Sequence, residues 1–167
     1  MENQQFVLSL LVANHFGVLT RISGLFARRG FNIDSLTVGV TDDPGFSRMT
    51  IVAPGDDYTK EQMVKQLAKL EDVKVIQLMK DYQTVLRELL IIKVRLDQGK
   101  LSELVEAAKT FRANVIDLSP DSVLIEITGD PGKLTAFLEY YKPHGIIEMT
   151  RTGPTAIGRS TYCLKKD

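Results

Sequence analysis

Residues 14–19, Asn14-His15-Phe16-Gly17-Val18-Leu19, offer a chemistry of the main chain rather than of side chains. They lead from an apolar run into a helical stripe. The first N–H groups of a helix have no internal partners and carry partial positive charge, so the turn suits a carboxylate. Gly17 has no Cβ to hold a small anion away from the backbone. The Asn14 side chain offers an oxygen to an ammonium group and N–H groups to a carboxylate. An α-amino acid presents both charges. A plainer reading of the same spacing stands beside this one: Asn14 caps the helix and Gly17 relieves the turn. Asn32, following Gly30, by itself only shapes a strand entrance, and His15 and Phe16 read as exposed loop groups or pocket walls.

No other constellation assembles an active site. There are two histidines, His15 and His144, too few for a metal triad or a histidine relay. The stretch Gly129-Asp130-Pro131-Gly132-Lys133 resembles a phosphate loop but lacks its four-residue spacer and the following Ser or Thr, and it reads as a capped helix start. Cys163 has no histidine or acid partner nearby in sequence and reads as an incidental thiol. The pairs Asp42-Asp43 and Asp56-Asp57 read as solvated turn residues. No catalytic and no metal-ligating residue is expected.

The composition excludes further classes. With 21 basic and 21 acidic side chains in 167 residues, the chain lacks the positive surplus that attracts nucleic acid. No apolar run approaches the roughly 20 residues that span a bilayer. One cysteine and no signal-peptide pattern point to a cytoplasmic protein without disulfides.

The elements that would position residues 14–19 follow from hydrophobic spacing. Residues 5–13 form a nearly continuous apolar run suited to a covered strand. Val18, Leu19, Ile22, Leu25 and Phe26 then make one helical stripe, closed by Arg28, Arg29 and Gly30. Residues 33–40 and 47–53 read as a hairpin around Thr41-Asp42-Asp43-Pro44-Gly45. Thr59-Lys60-Glu61-Gln62 matches a capping box, Met63, Val64, Leu67 and Leu70 give a second stripe, and residues 73–78 form a closing strand.

The order strand, helix, strand, strand, helix, strand then recurs. Residues 85–96 read as a strand, and Leu101, Leu104, Val105, Ala108 and Phe111 as a helical stripe. Strands over 115–118 and 123–128 follow, then a helix from Asp130 and Pro131, then a strand over 146–149. At an offset of 82, Gly17 matches Gly99, Leu19 matches Leu101, and Asn32 matches Asn114. The expected fold is α+β: two ferredoxin-like βαββαβ domains, residues 1–80 and 84–167, the second ending in a basic tail from Arg151 through Arg159, Lys165 and Lys166.

Several blocks carry a family resemblance. Asn14-His15-Phe16-Gly17-Val18-Leu19, Gly24-Leu25-Phe26-Ala27-Arg28-Arg29-Gly30-Phe31-Asn32-Ile33 and Ser47-Arg48-Met49-Thr50 resemble an ACT domain, that of the acetohydroxyacid (acetolactate) synthase small subunit. Phe111-Arg112-Ala113-Asn114-Val115-Ile116-Asp117, Thr128-Gly129 before Lys133-Leu134, and Arg151-Thr152-Gly153 leading to Arg159 resemble that subunit's C-terminal domain. His15-Phe16 departs from the small, acidic or Lys-Pro pairs of the family, and Leu86 stands in place of an acid.

The resemblance implies a non-catalytic regulatory subunit of acetolactate synthase. Such a subunit activates a separate catalytic (large) subunit and confers feedback inhibition by a branched-chain amino acid, foremost valine. Thiamine diphosphate, Mg and FAD are expected on that partner and no cofactor on this chain. The resemblance also implies a homodimer through the ACT domain. The effector would be held by Asn14, His15, Phe16, Gly17, Val18 and Leu19 of one chain and by Asn32 and Ile33 of the other. The alternative is a stand-alone ACT-domain amino-acid sensor or transcriptional regulator, which would bind an effector without altering acetolactate formation.

Overall fold

The computed structural model describes residues 5–164. The chain forms two compact units: residues up to 85 together with those from 154, and residues 86–153. The expected division left everything after 84 in the second domain. Instead the chain returns to the first unit once the second is complete.

In the first unit, β1 (Gln5–Ala13), α1 (Val18–Arg28), β2 (Ser35–Val40), β3 (Phe46–Pro54), α2 (Asp57–Leu67) and β4 (Val73–Leu78) build a sheet of order β2-β3-β1-β4. All neighbours are antiparallel, so β1 and β2 run in the same direction. Leu8, Leu10 and Val12 of β1 and Met49, Ile51 and Ala53 of β3 alternate toward the helices and are buried. Val18, Ile22, Leu25 and Phe26 meet them from α1, and Met63 and Leu67 from α2. At about 1.5–3 kcal/mol for each fully buried large aliphatic or aromatic side chain, this cluster is what holds the helices to the sheet.

Two element starts differ from expectation. The cap of α2 is Asp56, whose carboxylate accepts from Thr59 N–H, so the helix begins one turn before the Thr59 capping box. A carboxylate at this position also benefits from the helix dipole. β2 begins at Ser35, leaving Asn32 and Ile33 in the connection from α1.

The second unit repeats the plan with β5 (Thr84–Arg95), α3 (Leu101–Phe111), β6 (Asn114–Leu118), β7 (Ser122–Gly129), α4 (Pro131–Tyr141) and β8 (Ile146–Arg151), in the order β6-β7-β5-β8. Its core joins Leu90, Ile92, Val94, Val123 and Ile125 to Leu104, Leu134, Phe137 and Tyr141. The Tyr141 hydroxyl satisfies its burial by donating to Leu104 O at 2.8 Å. Asp130 accepts from Lys133 N–H at the start of α4, and Lys133 Nζ donates to Thr128 O, so the 129–133 stretch is a capped helix start. Arg151, expected to open the basic tail, is instead the last residue of β8 and forks onto buried Glu88 at 2.8 and 2.7 Å.

Residues 154–162 lie against the face of the first sheet opposite its helices. That face carries a polar row, Thr37, Thr50 and Ser9, in cross-strand register. Thr37 Oγ1 donates to Pro154 O, and Ala156 N–H, in the short strand β9 (Thr155–Gly158), donates to Thr50 Oγ1. Tyr162 turns back over Gly158, where any Cβ would collide with Tyr162 O, and its hydroxyl donates to Leu78 O. The expected tail residues Lys165 and Lys166 lie outside the described residues.

Candidate functional site

β1 ends at Ala13, and its antiparallel neighbour β3 begins beside it, so residues 14–19 emerge next to the β2–β3 turn. Asn14 N–H donates to Gly45 O, and Asn14 Nδ2 donates to Pro44 O at 2.9 Å. The Asn14 side chain therefore ties two loops together and does not cap α1. Gly17 takes the cap position with φ 89°, a left-handed conformation costly to most L residues, and contributes no side-chain cap. Val18 N–H makes only a 3.5 Å bond to His15 O. The first turn of α1 thus keeps its donors uncapped at an exposed end, the condition for holding an anion.

An ion cluster fixes this loop from below. Asp72, in the α2–β4 turn, is 7% exposed; His15 Nε2 lies 2.9 Å from its Oδ1, and Arg21 Nη1 donates to Oδ2 at 2.7 Å. Burial disfavours the Asp72 carboxylate, but Arg21 and His15 outweigh that effect and hold its pKa below the ordinary value. Ala13 N–H also donates to Asp72 O. His15 is thereby a loop anchor. Phe16 projects fully into solvent at the tip, Leu19 is half-exposed, and the Val18 side chain is in the core, leaving only its main chain toward a ligand.

Asn32 and Ile33 lie elsewhere. Because β1 and β2 run the same way, the entrance to β2 sits beside the start of β1, where Gln5 Nε2 donates to Asp34 Oδ2. Asn32 Nδ2 donates to Asp34 Oδ1 at 2.8 Å, and Ile33 packs on the core. β1 has nine residues, about 30 Å of strand, so residues 14–19 and Asn32 occupy opposite poles of the sheet. One chain does not bring these two sets together. The signal that sequence reading missed is Asp72, the carboxylate that organises the loop, because an acid 57 residues from His15 carries no local mark.

No group of three or more His, Cys, Asp or Glu suited to a metal occurs among the described residues, and none of their helices is long and apolar enough to cross a membrane.

Comparison with known proteins accounts for both units. The AHAS small subunit-like ACT domain matches residues 8–75, and the domain described as small subunit of acetolactate synthase matches residues 87–160. This chain belongs to the acetolactate synthase small-subunit family. The acetolactate synthase small subunit of Mycobacterium bovis is 47% identical over 159 residues, 95% of either chain. A protein of Methanothermobacter thermautotrophicus named "Probable acetolactate synthase small subunit" is 46% identical over 165 residues, 98% of either chain. The crystal structure of the acetolactate synthase small subunit from Thermotoga maritima superposes with a TM-score of 0.86 at 40% identity, covering 95% of this chain and 99% of that one. The fold is thus two ACT-type α+β units, and the chain is a small subunit of this enzyme family rather than its catalytic subunit.

Proposed function

We propose that this small subunit is regulatory: it activates the catalytic subunit of acetolactate synthase and confers feedback inhibition by a branched-chain amino acid, valine foremost. The amino-acid carboxylate would sit on the uncapped N–H groups at Gly17, Val18 and Leu19, with Asn14 and, from a second copy, Asn32 and Ile33 completing the contact. The observation that carries this reading is the placement of the two residue sets at opposite poles of one sheet. β2 is an edge strand, and its exposed Val38 and Val40 are not covered by the chain itself. A second copy added antiparallel along β2 would bring the Asn32 end of one sheet to the Gly17 end of the other. A ligand held by both copies biases their arrangement, and a docked catalytic subunit feels that bias. Thiamine diphosphate, Mg and FAD belong to that partner in this reading.

The experiment is reconstitution of the purified chain with a catalytic subunit, following acetolactate formation with and without valine, leucine and isoleucine. Activation that a branched-chain amino acid reverses supports the reading. Formation rates indifferent to the added chain overturn it.

A further inference from the structure

Phe16 is the most exposed large apolar side chain among the described residues, at 101% against 72% for Tyr82, the next. Its ring rests on nothing in its own chain, whereas Phe6 and Phe26 of the same unit are buried. Water is a costly place for a phenylalanine, and a loose loop would let it fold back onto the protein. This loop is not loose. Asn14 is tied by its side chain to Pro44 O and by its main chain to Gly45 O. The His15 ring bridges the tip to the α2–β4 turn, with Nδ1 3.1 Å from Phe16 O and Nε2 2.9 Å from Asp72 Oδ1. On the far side Gly17 O accepts from Arg21 N–H at 2.9 Å.

The ring is therefore held out in one place, with little ordering left to be lost on binding. Around it the exposed groups are polar: His15 and Arg21 beside the tip, Asp42 and Asp43 on the turn to which Asn14 is tied. A fixed aromatic knob within a charged rim has the composition of an interface hot spot.

The direction of the knob decides between occupants. A second copy added along β2 extends the sheet sideways. Phe16 follows β1, which is the third strand from that edge, about 10 Å inward, and it lies beyond the strand ends. Sheet extension leaves that direction open to another body. We infer that Phe16 is the anchor by which this small subunit docks, entering an apolar pocket of the catalytic subunit. The identity of the partner rests on the regulatory reading above. The turn proposed to take the effector carboxylate starts at the next residue, so docking and effector binding share one loop, and each biases the other.

The test measures binding of the full chain to a purified catalytic subunit by biolayer interferometry, independently of activity. Phe16→Ser should raise the dissociation constant at least about tenfold, and Phe16→Leu by less. Tyr58→Ser, which removes an exposed ring at the start of α2, should leave it unchanged. Since the Phe16 ring has no contact within the chain, Phe16→Ser should keep the wild-type melting temperature and oligomeric state. Docking unaffected by Phe16→Ser overturns the anchor. So does a changed oligomeric state in sedimentation, which gives the ring to the second copy, or a valine affinity that falls as far as docking does, which gives it to the effector. Docking through Phe16 without activation or response to a branched-chain amino acid defeats the regulatory reading and leaves the anchor standing. A wild-type chain that does not bind the catalytic subunit defeats both.

Discussion

His15 and Asp72, 57 residues apart in sequence, meet at 2.9 Å and pin the turn before α1 to the turn after α2. Arg21, one helical turn into α1, holds the other oxygen of the same carboxylate, so the uncapped helix start is framed on two sides. His15 thus has a structural role in holding the turn.

Asp72→Asn should loosen this frame. Hydrogen exchange at residues 14–19 should accelerate, and valine affinity should fall while the core stays folded. The pH dependence has a definite sign. The folded carboxyl has a lowered pKa, so its stabilising contribution is present above the ordinary value of 3.8 and is lost as pH falls below it. Melting temperatures of the wild type should drop through that acid range, and Asp72→Asn should show a shallower drop.

Gly17→Asp places a carboxylate where the ligand's would lie. Asp tolerates a left-handed backbone better than most residues, so the variant should fold despite φ 89°. Valine affinity by calorimetry should fall at least about tenfold, as for loss of charge-assisted hydrogen bonds, while activation of the catalytic subunit survives. Gly17→Ala should cost about 1–2 kcal/mol in chemical denaturation through the same φ. Unchanged valine affinity in Gly17→Asp would remove the turn from the effector site.

Val38→Lys puts a charge on the exposed edge strand β2, a common natural device against edge pairing. Sedimentation should show dissociation to monomer, and valine binding should weaken with it. A dimer that survives intact would move the subunit contact away from β2.

Glu88→Ala strands Arg151 at a partly buried position. Glu88 is 4% exposed and Arg151 forks onto both its oxygens, so chemical denaturation should register a loss of about 2–4 kcal/mol. Glu88→Gln, which keeps an acceptor, should lose less. A double variant with Arg151→Met should recover part of the deficit, as expected when an unpaired charge is the main penalty.

Periodicity made the architecture legible. Apolar alternation and helical stripes are local, and both units show the expected order, with Gly17 and Gly99 keeping a positive φ in matching turns. What escaped was set by distant chemistry. The α2 cap went to Asp56 because a carboxylate three residues before Thr59 reached its N–H. Residues 154–162 went back to the first unit, where their main chain hydrogen-bonds Thr37 and Thr50, and a threonine in a strand pattern looks the same whether it faces water or another chain segment. Arg151 looked like tail charge because its partner, Glu88, lies across the sheet. At the candidate site, the residue types of the turn were readable, but the separation of Asn32 from it depended on strand direction.

That separation has a bearing on how such a subunit would read a metabolite. On the proposed site, each monomer would carry two half-receptors pointing away from each other, and a solitary molecule would be deaf to the signal. Sensitivity then depends on how much protein is present as well as on how much amino acid: dilution below the pairing threshold should blunt the response even at saturating metabolite.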